Sequence, residues 1–312
     1  MNADAKIAFL FPGQGSQRPG MLAKLREEHI GAALLEEAGS VLACDPLQFD
    51  SAEVQAGTWA TQLGLFIVGV ASARLVAEQN LVCDFVAGHS VGAFAAAVHA
   101  QVLNFADALR LVDLRGRLMA EAYPNGYGMA AITGVPETKL QVWIAEARAR
   151  GAALYLANRN GARQFTVSGA DADLDALIAH AQAHGANKAL RLAVAVPSHS
   201  PLMDRVAERM TAALREVPIA DARIPFATNR RARIETSGRA IADDLAAAVA
   251  NPVLWHEINC ALYERGVRAF VEMAPGNALS NLAQGTFADV HAVALEQVGA
   301  RALPRILYPP PA

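Results

Sequence analysis

Cysteine is scarce in this chain. Only Cys44, Cys83 and Cys260 occur, and they lie far apart. Their spacing and odd number argue against a disulfide framework and against a cysteine-based metal site, and a reducing cytoplasm is the simplest compartment. Charge is sparse as well. Charged residues make up 18% of the chain, the net charge is −3, and no block of like charge occurs. Such a surface suits neither nucleic acid nor an anionic membrane as a partner. Long apolar runs are missing too. The N-terminal stretch "MNADAKIAFLFPGQG" has an apolar run of only five residues before Pro12, too short for the core of a signal peptide. The longest apolar segment, around "LGLFIVGVA", falls well short of a membrane span and reads as a buried helix. There is no internal repeat and, apart from the short tail "YPPPA", no low-complexity linker. What the chain does have is core material. Hydrophobic residues form 53% of its 312 residues, which is long for a single core and predicts one large domain with an insertion, or two subdomains.

Strand and helix alternate through the first third. "IAFLF" reads as a strand, residues 22–42 and 58–79 as helices, "FVAG" as a strand ending at Ser90, and residues 104–122 as an amphipathic helix. Continuous apolar strands separated by helices predict a parallel sheet covered on both faces. The middle differs. "GMAAITGV", "LYLANRNG", "QFTVSGA" and "NKALRLAVAV" read as strands, with helices at "PETKLQVWIAEARARG" and "DADLDALIAHAQAHG". Strand-helix-strand-strand-helix-strand is the split βαβ, ferredoxin-like order. The predicted class is therefore α/β: a large subdomain from 1–127 and 197–312, interrupted by a ferredoxin-like small subdomain at 128–196. A cleft between two such units is a common ligand site.

The stretch Gly88-His89-Ser90-Val91-Gly92 fits G-x-S-x-G, with a strand before it and a run of small residues suited to a helix after it. That context is what a nucleophile on a sharp strand-to-helix turn requires; the plainer alternative is a tight turn with a capping serine. A helix beginning at Ser90 would offer free N–H groups to a developing oxyanion.

A serine nucleophile needs a base. His89 is adjacent and expected to point away. His99 lies about 13 Å further along the same helix, at about 1.5 Å of rise per residue. His180 and His184 share the i, i+4 spacing of a metal site but have no accompanying carboxylate or cysteine, so no metal is expected. His256 sits mid-helix and His291 in or next to a late strand. His199, in "AVAVPSHSP", follows a strand end and is the best base candidate; a loop histidine with a capping role is the alternative. Asp171, Asp173 and Asp175 are available as a third triad member but read as helix-start or surface residues, and a backbone carbonyl can orient the histidine instead.

Arg115 stands out in "FADALRLVDLRGRLMAEAY". Its neighbours at i−4, i−3, i+3 and i+4 are Leu111, Val112, Leu118 and Met119, all apolar, so it faces the core, whereas Arg117 lies between Asp113 and Glu121. A buried guanidinium needs an anionic partner, either a structural Asp or Glu or a substrate carboxylate gripped by two parallel hydrogen bonds. "FPGQGSQ" after the first strand lacks the G-K-[ST] of a phosphate loop, and its glycine-flanked Gln14 could reach the oxyanion region.

With these residues assembled, the chain resembles the malonyl-CoA:acyl carrier protein transacylases along nearly its whole length. The matching segments are "FLFPGQGSQRPGM", "TWATQLGLF", "AGHSVGAF", "FADALRLVDLRGRLM", "GMAAI", "VPSHSPLM", "NPVLWHE" and "VEMAPGNALSNL". The resemblance implies an α/β-hydrolase-like core with a ferredoxin-like insert. It also implies Ser90 as the acylated nucleophile, His199 as the base and Arg115 as the binder of the malonyl carboxylate. Gln14 and the Val91 N–H match the family's oxyanion and active-site positions, and Asn251 the place whose backbone carbonyl orients the histidine. No permanently bound cofactor is implied. Malonyl-CoA is the donor, and the acceptor is the thiol of a CoA-derived prosthetic group on an acyl carrier protein. Two positions depart from the fatty-acid enzymes: Ala93 replaces a usual Glu, and Leu63 a common Pro. "YPNGYGM" and "GHSVGAFAAAV" look most like the epsilon subunit of biotin-independent malonate decarboxylase, whose acceptor is the complex's own carrier subunit. The remaining readings are a transacylase of fatty-acid or polyketide synthesis with the same mechanism, a serine thioester hydrolase, and a non-catalytic docking subunit.

Overall fold

The structure, a computed structural model, describes residues 5–308; most of the proline tail lies outside them. Ten strands form two sheets: β1 (Lys6–Phe11), β2 (Phe85–Gly88), β3 (Tyr127–Thr133), β4 (Leu154–Gly161), β5 (Gln164–Ala170), β6 (Lys188–Arg191), β7 (Phe226–Ala227), β8 (Ile234–Glu235), β9 (Val267–Glu272) and β10 (His291–Ala294). The larger sheet has the order β10-β9-β1-β2-β7-β8. All its pairings are parallel except that of the edge strand β8 with β7. Side chains of β1 alternate between two cores: Ile7, Phe9 and Phe11 join one, Ala8 and Leu10 the other. Both faces of the sheet are therefore buried, which is why its strands are apolar without alternation. The smaller sheet is antiparallel, with order β4-β5-β3-β6, and its two helices, Glu137–Ala149 and Asp171–Ala183, pack over a third core containing Ile132, Leu140, Phe165 and Leu177. An isolated parallel bridge between Asn158 and Val253 ties the small sheet to the large unit.

Three expectations need correction. Residues 22–42 are not one helix but two, Met21–Leu25 and His29–Leu42. The break lets Gly31 pack so closely that a Cβ there would lie 2.2 Å from the Leu25 carbonyl oxygen. "NKALRLAVAV" is a strand only over Lys188–Arg191; after the Leu192 N–H bonds the Met129 carbonyl at 2.9 Å, the chain leaves the sheet and turns toward the cleft. "LGLFIVGVA" belongs to a helix, Thr58–Ala77, that by length and composition is long and apolar enough to cross a membrane, contrary to the sequence reading; within the protein 83% of its apolar window is buried. It packs against the helix Phe105–Ala122, whose Gly116 allows the close approach: a Cβ there would lie 2.9 Å from the Trp59 Cα.

Candidate active site

Ser90 sits between β2 and the helix Gly92–His99, at the C-terminal end of a parallel strand. Its φ is +55°, in the left-handed region that disfavours any residue with a Cβ. The flanking glycines are there for space. A Cβ on Gly88 would lie 2.3 Å from the Ala93 nitrogen, and one on Gly92 2.2 Å from the Phe11 carbonyl oxygen. Ser90 caps nothing, since the helix's cap position is Val91, so its hydroxyl is free for other use. The Ser90 N–H donates to Asn229 Oδ1 at 2.9 Å, and Asn229 Nδ2 donates to the Gly88 carbonyl at 2.8 Å.

His199 comes from the segment after β6. Its φ is +62°, and its N–H is anchored on the Val249 carbonyl at 2.7 Å. Nε2 lies 2.8 Å from Ser90 Oγ. Nδ1 lies 2.7 Å from the Ala248 carbonyl oxygen and 3.3 Å from that of Asn251, so Ala248 is the nearer of the two acceptors and Asn251 the second. Carbonyls accept only, so Nδ1 carries the proton and Nε2 is left to accept one from the serine. None of the three aspartates raised as triad members bonds His199: Asp171 pairs with Arg191, Asp173 accepts the Ala153 N–H at 2.7 Å, and Asp175 lies 3.9 Å from Arg191. Burial, reinforced by the nearby Arg115 charge, pushes the His199 pKa down to about 3 against the pull of the Ala248 carbonyl.

Arg115 is 2% exposed. Nη2 donates to Ser90 Oγ at 3.2 Å, and Nη1 donates to Gln62 Oε1 in a short hydrogen bond. Gln62, across the helix pair, donates from Nε2 to the Met119 sulfur at 3.2 Å. Among the described residues no carboxylate lies within ion-pairing distance of Arg115. Burial alone pulls its pKa down to about 10, and it stays protonated at neutral pH. Arg117, on the outer face, pairs with Asp113 at 3.0 Å as its spacing predicts.

Gln14 and Val91 line the same narrow cleft, of about 50 Å³, as Ser90, His199 and Arg115. Gln14 Nε2 is buried and has no hydrogen-bond partner, and the Val91 N–H donates to no acceptor among the described residues. Two uncommitted donors thus line the cleft that holds Ser90, together with a neutral histidine and a buried cation that no carboxylate neutralises. The acyl transferase domain profile matches residues 8–302.

The chain belongs to the acyl transferase family.

This acyltransferase is 36% identical over 300 residues to the malonyl CoA-acyl carrier protein transacylase of Haemophilus influenzae, covering 94% of this chain and 96% of that one. Its structure superposes on FabD of Acinetobacter baumannii with a TM-score of 0.90 at 34% identity, covering 97% and 98% of the two chains. It superposes equally, at 0.90 and 33% identity over 95% and 98%, on PlMCAT, a malonyl-transacylase solved in complex with the type II PKS acyl-carrier protein AntF.

The acyltransferase cleft has two walls. The large sheet and its helices provide Gln14, Ser90, Arg115 and Met119, and the small sheet provides Met129, Asn158 and Thr166, with Leu192 and Val194 from the chain leaving it. Sequence reasoning missed Gln62, Asn229 and the small-sheet residues. Gln62 stands three residues after Trp59 in an apolar helix, and a polar side chain there was the one available signal. His89 also lines the cleft; its Nε2 lies 3.1 Å from Asn160 Oδ1, its ring packs 5.3 Å from Trp255, and burial pushes its pKa down to about 4. The other histidines lie elsewhere. His99 packs on Phe9 and Phe11. His180 and His184 stack on each other beside Trp143. His256 is the second residue of its helix, not mid-helix. His291 begins β10. No group of three or more metal-ligating side chains occurs among the described residues.

Proposed function

We propose that the acyltransferase moves malonyl from malonyl-CoA to the thiol of an acyl carrier protein through a malonyl ester on Ser90. His199 Nε2 takes the hydroxyl proton as Ser90 Oγ bonds the thioester carbonyl carbon. The resulting oxyanion meets the Val91 N–H and Gln14. The C–S bond then breaks, and His199 returns the proton to the departing CoA sulfur. A carrier thiol enters, gives its proton to His199, attacks the ester, and the serine leaves with that proton. The Ala248 carbonyl, assisted by Asn251, holds the imidazole in the required tautomer. Ser90 on a strand-to-helix turn of a parallel sheet is the placement of α/β-hydrolase nucleophiles, and we read the large unit, 1–127 and 197–312, as hydrolase-like around a ferredoxin-like insert at 128–196.

One observation carries the malonyl reading: Arg115 is buried, unpaired and 3.2 Å from the nucleophile oxygen. A carboxylate one methylene beyond an acylated Ser90 falls within reach of that guanidinium, and an acetyl group has nothing to offer it.

The relatives named as acyl carrier protein transacylases favour a carrier of fatty-acid or polyketide synthesis. The segments "YPNGYGM" and "GHSVGAFAAAV" favour the carrier subunit of malonate decarboxylase as a second reading. Intact-mass spectrometry after mixing with malonyl-CoA separates these outcomes, with Ser90→Ala as control. A Ser90-dependent malonyl adduct is expected, and its faster discharge to one purified carrier than to the other names the acceptor. Rapid loss of the adduct to water without a carrier identifies a hydrolase. Absence of any adduct, with malonyl-CoA intact, overturns the reading.

A further inference from the structure

We propose that Asn229 is the positioning residue that fixes the strained backbone of Ser90 and leaves the Val91 N–H as the oxyanion donor; this rests on the acyl-enzyme reading of Ser90. Asn229 follows β7, the neighbour of β2 in the large sheet, and is fully buried. Its side chain spans the elbow from one end to the other. Oδ1 accepts from the Ser90 N–H at 2.9 Å, and Nδ2 donates to the Gly88 carbonyl at 2.8 Å. The two bonds straddle His89 and resemble a rung of sheet pairing supplied by a side chain, at a point where β7 has already ended.

Only a planar group with one donor and one acceptor can do this. Leucine would leave both backbone groups buried and unpaired, and aspartate would set an oxygen against the Gly88 carbonyl. The amide cannot swing away. Asn229's own N–H donates to Asp244 Oδ2 at 2.7 Å, and its carbonyl accepts the Leu254 N–H at 2.9 Å. Asp244 also accepts the Arg230 N–H at 3.1 Å, so the loop carrying the amide is held at two successive residues.

Two consequences follow. A serine at φ +55° persists only where its surroundings over-determine it, and the Asn229 pair supplies that constraint directly at residues 88 and 90. With the Ser90 N–H committed to Asn229, the first uncommitted N–H beside the nucleophile is that of Val91. Asn229 does not itself line the cleft, and its side-chain bonds go only to the backbone at residues 88 and 90, so it bears on the chemical step and not on the grip of malonyl-CoA.

The test is rapid-quench intact-mass measurement of acylation by malonyl-CoA, without carrier, in wild type, Asn229→Ala and Asn229→Asp. The rate at saturation is expected to fall about 100-fold in Asn229→Ala, the effect of small misplacement of a reacting group. The half-saturating malonyl-CoA concentration should stay within about twofold. Asn229→Asp, of the same size but without the donor, should also be slow. A wild-type rate in either variant overturns the inference, as does a weakening of half-saturation equal to the loss of rate. If Asn229→Ala does not fold, Asn229→Asp decides by the same criteria. Failure of the wild-type protein itself to form the adduct strikes the acyl-enzyme reading, whereas an acylated wild type beside an equally fast variant strikes Asn229 alone.

Discussion

At the scale of single residues, Arg115 and Gln62 explain each other. A buried guanidinium ordinarily demands a carboxylate. Here its internal partner is a neutral amide, which orients Nη1 without cancelling the charge. The charge therefore remains available to a ligand that reaches Ser90. Arg115→Ala is expected to lower malonyl transfer by at least about 100-fold, since hydrogen bonds to charged groups are worth about 1.5–3 kcal/mol each. Acetyl transfer should survive or rise. Parallel assays with malonyl-CoA and acetyl-CoA check this, and equal loss of both would remove Arg115 from carboxylate binding. The sequence alone left the arginine's partner open between an internal acid and a substrate. No spacing rule could decide it, because the deciding fact is which side chain faces Arg115 from a helix 53 residues earlier.

At the scale of elements, the elbow shows what local pattern makes legible. Gly88, Ser90 and Gly92 could be read from the sequence because the constraint on them is local: a strand must stop, reverse and start a helix within four residues. Gly92→Ala would drive a Cβ to 2.2 Å from the Phe11 carbonyl oxygen and so displace β1 or the helix. The expected destabilisation is about 3 kcal/mol, as for severe overpacking, readable by denaturant unfolding; a stability within error of wild type would show that the turn has slack. β1, β2 and the helix from 105 were legible for the same reason, as was the succession of strands and helices along the small unit, whereas β7 and β8, two residues each, were not. The break at residues 26–28 and the early end of β6 were not. Both are decided by close packing and by sheet partners far away in sequence, and neither leaves a glycine or proline signal at the break itself. Asn229 was hidden likewise, since an Asn after a two-residue strand looks like any turn residue until β7 is seen beside β2.

At the scale of the whole molecule, three histidines are held neutral by burial: His89 and His99 with pKa values near 4, and His199 near 3. Each has a folded value below its unfolded one. The unfolded chain therefore binds more protons between about pH 6.5 and those values, and the stability they allow is complete above pH 6.5 and lost as the pH falls. Asp244 and Glu272, whose pKa values burial raises, act in the opposite sense: protonation favours the fold, and their contribution declines as pH rises through the folded value. His99 lies away from the cleft, between Phe9 and Phe11 and near Cys83. His99→Phe should thus flatten the fall in melting temperature between pH 6.5 and 4.5 while leaving Ser90 acylation intact. An unchanged slope in that variant would assign acid sensitivity to other groups.

The two-walled cleft has a consequence for how such a protein can change over generations. Ser90, His199 and Arg115 are set by the parallel sheet and its helices, whereas Met129 and Thr166 come from a separately cored antiparallel sheet and Leu192 from the chain just leaving it. Mutations between residues 127 and 194 can therefore reshape the roof over Ser90 without replacing Ser90, His199 or Arg115, Ser168 being the exception that reaches them, since its hydroxyl donates to the Ser198 carbonyl beside His199. The shape of the cleft can vary in one stretch of chain, while Arg115 and its buried charge stay in another.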